Sequence, residues 1–262
     1  MGSATTQALA ATTTALDAAS DVDLDVAREL FAAARALGDT PQLSGALADW
    51  SASTAARGRV VADVFGTFSR TTVSLLTTVA QQRWSSPAEL IDGIEELAIR
   101  AASRAKPHAD VEGELFQFSR TIARNSNLEL ALGSRLGDDA AKGELVTTLL
   151  EDRASDATTL IVSSLVQQPR DRRVRQLLIR AERIVATERG RVVARVTAAA
   201  PLSFAQAVRL REVLARKYGK EVSLNTVIDS SVVGGIRVQI GDDVIDASVS
   251  SRLADLRQRL AG

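Results

Sequence analysis

His108 is the only histidine in this chain of 262 residues, and there is no cysteine. A Cys-His relay, a thiolate site and a multi-histidine metal centre are therefore out of reach. His108 stands in Lys106-Pro107-His108, which reads as an exposed connector. Acidic pairs occur at Glu95-Glu96, Asp138-Asp139 and Asp242-Asp243. Paired carboxylates divide acid and base work only where their surroundings push their pKa values apart. Here each pair lies beside basic residues or in a turn, so solvated charge is the expected role. Gly234-Gly235 could cradle a phosphate, but neither a Gly-x-x-x-x-Gly-Lys-Ser/Thr pattern nor a following helix accompanies it. A bulge or a close backbone approach inside a sheet is the expectation for that pair. The run Arg170-Asp171-Arg172-Arg173-Val174-Arg175 has the charge to hold nucleic acid, but it lacks aromatic platforms for the bases. It reads as solvated or ion-paired. Trp50 and Trp84 read as core or hinge anchors. The residues thus point to no catalytic group, no cofactor, no metal and no nucleic-acid partner.

The elements that must position any site are mostly helical. The chain is 45% apolar and 24% charged, with only 3% aromatic residues. Ala, Leu and Val carry the apolar share, a mix that suits closely packed helices and excludes a disordered chain. Uncharged runs such as Thr71 to Gln82 and Ala157 to Gln168 are too short and too rich in Thr, Ser and Gln to span a bilayer. The first 27 residues hold no Lys or Arg but include Asp17, Asp21, Asp23 and Asp25, the wrong sign for a targeting peptide. The net charge of zero conceals an asymmetry. Residues 189–262 carry 12 basic and 7 acidic side chains, a net of +5, while the rest is mildly acidic. Such a surface suits an acidic partner.

An internal repeat organises the first two thirds. Glu29-Leu30-Phe31 recurs 85 residues later as Glu114-Leu115-Phe116. At the same offset Leu43, Leu47, Gly58 and Val61 meet Leu128, Leu132, Gly143 and Val146, and Arg57 meets Lys142. With small drifts of the offset, Gln81-Gln82 meets Gln167-Gln168, and Glu95 with Leu97 meets Glu182 with Ile184. Each copy reads as a bundle of short helices. In the first, Leu24, Ala27, Leu30-Phe31, Ala34 and Leu37 form one stripe, which Gly38 is expected to end. Ser86 with Pro87 opens the last helix of that copy.

Beyond Gly190 the pattern changes. Arg191 to Thr197 alternates as a strand, and Ser203 with Gln206 forms a capping box for a helix ending at Gly219. Two short strands follow across Gly234-Gly235, then a Gly-Asp-Asp turn, a return strand and a helix with Leu253, Leu256 and Leu260 on one side. The fold class expected is mainly α with a C-terminal α/β domain. It comprises a flexible segment over 1–24, tandem helical bundles over 25–107 and 108–188, and a small α/β layer with a terminal helix over 189–262.

Val222, Leu224, Ile228, Asp229, Val232, Gly234-Gly235, Ile236, Val238, Gln239 and Gly241 fill the spacing of a known C-terminal signature. The chain resembles the delta subunit of the rotary F-type ATP synthase, a relative of the mitochondrial oligomycin-sensitivity-conferring protein. The doubled bundle resembles the extended delta subunits of actinobacteria. The resemblance implies a non-catalytic peripheral-stalk, or stator, subunit that supports ATP synthesis and hydrogen ion transport from the cytoplasmic face of the cell membrane. One copy per complex is implied, without direct membrane insertion. It implies that a bundle receives N-terminal segments of the alpha subunits and that the C-terminal domain meets the end of the b subunit. Leu30, Phe31, Ile94, Leu97, Leu115, Phe116, Phe118, Leu177 and Ile184 are the expected walls of the alpha-accepting grooves. Leu253, Leu256 and Leu260 are the expected apolar contact for b, and Gly234 and Gly235 are assigned a structural role. A helical scaffold or a nucleic-acid-associated adaptor is the alternative that the composition leaves open.

Overall fold

A computed structural model describes residues 2–134, 137–230, 232 and 234–246. The chain divides into two compact units, Met1–Ile184 and Val185–Gly262.

Among the described residues the first unit is built of helices, the last of which continues past Ile184 to Glu188. Its elements are α1 (Ser3–Ala18), α2 (Leu24–Asp39), α3 (Pro41–Ala48), α4 (Thr54–Phe65), α5 (Arg70–Gln81), α6 (Pro87–Ala105), α7 (Val111–Arg124), α8 (Ser126–Gly133), α9 (Asp139–Leu150), α10 (Asp156–Gln167) and α11 (Val174–Glu188). Side-chain caps set many of the helix starts. Asp23, Ser53, Ser69, Ser86, Asp110, Asn125, Asp138 and Ser155 each accept a backbone N–H of the first turn. Pro87 holds the first position of α6, as its fixed φ allows.

The order of α2–α5 recurs in α7–α10, and between α2 and α7 the buried positions recur one for one. In α2 these are Val26, Ala27, Leu30, Phe31, Ala33, Ala34 and Leu37. In α7 they are Val111, Glu112, Leu115, Phe116, Phe118, Ser119 and Ile122, each 85 residues on. Arg57, Val61 and Phe65 of α4 match Lys142, Val146 and Leu150 of α9. A polar junction recurs as well. The Glu29 carboxylate accepts the Ser69 N–H at 3.0 Å, and the Glu114 carboxylate accepts the Ser155 N–H at 3.0 Å. Each ties the first long helix of its run to the cap of the fourth.

Three expectations change. Residues 3–18 are not a flexible segment but a helix whose Thr5, Ala8, Thr12 and Leu16 are buried. It is tied to α6 at both ends: Thr5 bonds to Glu89 and shares hydrogen bonds with Ser85 just ahead of the helix, and Arg104 donates to the Leu16 carbonyl and pairs with Asp17. Gly38 does not end α2, which continues to Asp39. It lies where the chain passes closely, since a Cβ there would overlap the Gln168 side chain. The two helical runs also do not part at residue 107 into separate bodies, because α10 packs on α6 and touches α2.

The second unit is a four-stranded sheet with one helix among the described residues. The strands are β1 (Arg191–Ala198), β2 (Glu221–Ile228), β3 (Ile236–Ile240) and β4 (Asp243–Asp246), and α12 (Phe204–Tyr218) connects β1 to β2. Spatial order is β2-β1-β3-β4, with β1 and β2 parallel and the other pairs antiparallel. Alternation puts Ala194, Val196, Val222 and Val238 on the face that meets Leu210, Leu214 and Tyr218 of α12. The Ser203–Gln206 capping box opens α12, and Gly219 closes it at φ 66°.

The strands on either side of Gly234-Gly235 do not pair with each other, because β1 lies between them. The two glycines sit in the connection before β3, exposed, with φ of 55° and 121°. These are backbone values that L side chains rarely adopt. Gly235→Val is expected to lower stability by about 1–3 kcal/mol through backbone strain alone. An unchanged thermal midpoint would mean that the connection accommodates a side chain and that the glycine is dispensable.

Candidate partner-binding surfaces

A dense polar constellation joins α6 to the second helical run. Glu95, whose side chain is 6% exposed, takes a two-pronged ion pair from Arg172, at 2.8 and 2.7 Å. Arg180 adds a bond at 2.6 Å and Arg170 a contact at 3.3 Å. Arg170 also pairs with Asp92, and Arg180 donates to the Asp92 carbonyl at 3.0 Å. Burial pushes the Glu95 carboxyl up. The hydrogen bond from Arg172 and the charges of Arg172, Arg180 and Arg170 outweigh it, leaving the group below its usual pKa. Burial likewise lowers Arg172, but Glu95 and Asp92 hold it above its usual value. Arg170 and Asp171 take left-handed φ of 46° and 66° to turn the loop onto α6. The arginine run is thus a clamp within the chain rather than a solvated surface. The clamp's partners are 75 to 88 residues apart in sequence, so no local pattern could have shown it.

A second junction lies at the end of α10. Arg35 bonds to Gln167, and the Gln168 amide donates to the Arg35 carbonyl at 3.1 Å. Two openings flank these junctions. One of about 1060 Å³ is lined by Leu130, Lys142, Pro169, Arg172, Arg173 and Val174. Another of about 760 Å³ is lined by Arg35, Gly143, Thr147, Ser163 and Gln167.

The structure relocates the expected groove walls. Leu30, Phe31, Ile94, Leu97, Leu115, Phe116, Phe118, Leu177 and Ile184 are all buried, none more than 8% exposed. They are the core of the helical unit, not open walls. The periodic stripe that marks a helix is the stripe its own bundle covers. Leu253, Leu256 and Leu260 lie outside the described residues. His108 is exposed in the turn between α6 and α7. Glu95-Glu96 is neither solvated nor paired for acid-base work, since arginines neutralise both carboxylates.

The second unit presents a different surface. Phe204 (85%) and Val213 (47%) of α12 are exposed, among Arg209, Arg211 and Arg216. Asp243 is bonded by Tyr218 and Lys217 in that order of effect, which holds its carboxyl below the usual range. Among the described residues no helix is long and apolar enough to cross a membrane.

Residues 98–260, more than half of the chain, match the ATP synthase delta (OSCP) subunit family. The chain belongs to that family. Over its whole length it is 47% identical to the ATP synthase subunit delta of Leifsonia xyli, all of which is covered. It is 39% identical over 98% of both chains to that of Streptomyces avermitilis. A chain in the Toxoplasma gondii mitochondrial ATP synthase hexamer is 19% identical, with a TM-score of 0.40 over 64% of this chain and 97% of that one. As an ATP synthase delta (OSCP) family member the chain is a non-catalytic subunit of the peripheral stalk, a part of the machinery of ATP synthesis and ion transport.

Proposed function

We propose that this subunit joins the catalytic head to the membrane sector and holds the head still while the rotor turns. The observation that carries this reading is the arginine clamp on Glu95, which locks α6 to the second helical run within one compact body able to transmit load. The helical unit takes the N-terminal segments of the alpha subunits, and the α/β unit meets the C-terminal helix of b. One copy serves each complex, at the cytoplasmic face of the membrane. Linking several modest contacts on one chain raises the effective concentration of each, which suits a part that must not release under torque.

Charge supports the b contact. Residues 189–262 carry the net of +5, and Arg209, Arg211 and Arg216 are exposed on α12. Binding of the full chain to the soluble part of b is expected to weaken steadily with salt. The screening length falls from ~8 Å at 0.15 M to ~3 Å at 1 M. Titrations that give the same affinity at both salt concentrations would assign the contact to apolar packing instead of charge.

A further inference from the structure

Helix α6 buries far more than the single stripe of an outer bundle helix. Twelve of its 19 residues are buried, against four of 16 in α1. Two sets of positions account for the excess. The first is the set buried in α11, the last helix of the second run. Leu177, Ala181, Ile184 and Val185 match Leu90, Ile94, Leu97 and Ala98, 87 residues earlier, and all are buried. The second is the set buried in α1, the first helix of the first run. Thr5, Ala8, Thr12 and Leu16 match Leu90, Gly93, Leu97 and Ala101, 85 residues later, and these too are all buried.

Neither set alone explains the helix. At the places of Gly93 and Ala101, α11 has Arg180 and Glu188, both half-buried. At the places of Ile94 and Ala98, α1 has Leu9 and Thr13, also half-buried. Packing agrees with the double pattern, since α1 lies on α5 as α6 lies on α10. The family match also begins inside α6, at residue 98.

We infer that α6 is one helix held in common by two overlapping six-helix copies, α1–α6 and α6–α11, so that both runs open and close as one body. Two bundles joined end to end by a linker could each unfold alone. Here the loss of either run strips part of α6 and exposes apolar surface that both runs need. Two polar ties act in the same sense. The arginines after α10 hold Glu95 on the helix that closes the first run, and the Gln168 amide holds the Arg35 carbonyl of α2. The connection over 106–110 is therefore not a hinge. Force applied to one run passes to the other through the shared core. This inference concerns the chain by itself and stands whether or not the stator reading does.

The test is native-state hydrogen exchange of the full chain in low, graded denaturant, read on peptides from α5 and α10. Val61→Ala in α4 and Val146→Ala in α9 each remove a matched buried side chain, one from each run, without touching α6. Either substitution should speed the slowest exchange in both peptides by the same factor, about tenfold or more, because those amides open only with the whole body. Acceleration confined to the run that carries the substitution would overturn the inference. Should Val146→Ala fail to fold, Ile161→Val in α10 asks the same question with the loss of one methylene. It should speed exchange in the α5 and α10 peptides alike by roughly three- to tenfold.

Discussion

Glu95→Ala should cost the helical unit about 2–4 kcal/mol, at the lower side of the ~3–5 kcal/mol typical of a broken buried ion pair. The discount reflects the arginines, whose side chains remain 18–23% exposed and regain some hydration once the carboxylate is gone. For a body of this size that corresponds to a fall in melting temperature of roughly 5–15 °C. Glu95→Gln should lose less, since it keeps the shape and one acceptor oxygen while removing the charge. A surface control exists in Arg28–Asp25, whose side chains are 60% and 78% exposed. Arg28→Ala should change stability by no more than about 0.5 kcal/mol. Calorimetric melts in which Glu95→Ala and Arg28→Ala are indistinguishable would show that the clamp does not hold the helices together.

The same group fixes the direction of acid sensitivity. The Glu95 carboxyl titrates lower in the folded chain than its ordinary 4.5. The unfolded chain therefore takes up the proton first, and folding is favoured by an ionised Glu95. Its contribution is complete above pH ~4.5 and is lost as pH falls through the depressed folded value. Glu95→Gln should accordingly flatten the acid side of the stability profile.

Much of the helical architecture was legible because it is written locally. Ser86 before Pro87, Ser203 with Gln206, and Gly219 after Tyr218 mark ends through short-range hydrogen bonds and backbone preference, and the structure places ends there. The repeat was legible because each copy must bury the same positions, so selection for packing leaves the same apolar letters at Leu30 and Leu115 or Val61 and Val146. What depends on distant contacts was not legible. Helix α1 is rich in Ala and Thr, with little amphipathic contrast. Its order comes from α5 and α6, some 55 to 100 residues away. The insertion of β1 between β2 and β3 is a property of the sheet as a whole, and strand-by-strand alternation says nothing about it. The expected groove walls lie in the core for a related reason. Apolar periodicity identifies the face a helix buries, so it selects core residues such as Phe116 and Leu177.

The second large effect is on coupling. A stator that is missing leaves the chemistry of the catalytic head intact and removes the reaction force that turns hydrolysis into ion movement. Membranes stripped of this subunit should still split ATP, yet they should pump almost no protons. Adding back the purified chain should restore pumping in step with its rebinding, without a matching rise in hydrolysis. The direct measurement is ATP-driven acidification of inverted vesicles, recorded with ATP hydrolysis, before stripping, after it and after reconstitution. Loss and recovery of acidification at nearly constant hydrolysis is the outcome expected of a stator. Full acidification by vesicles that lack the subunit would contradict that role.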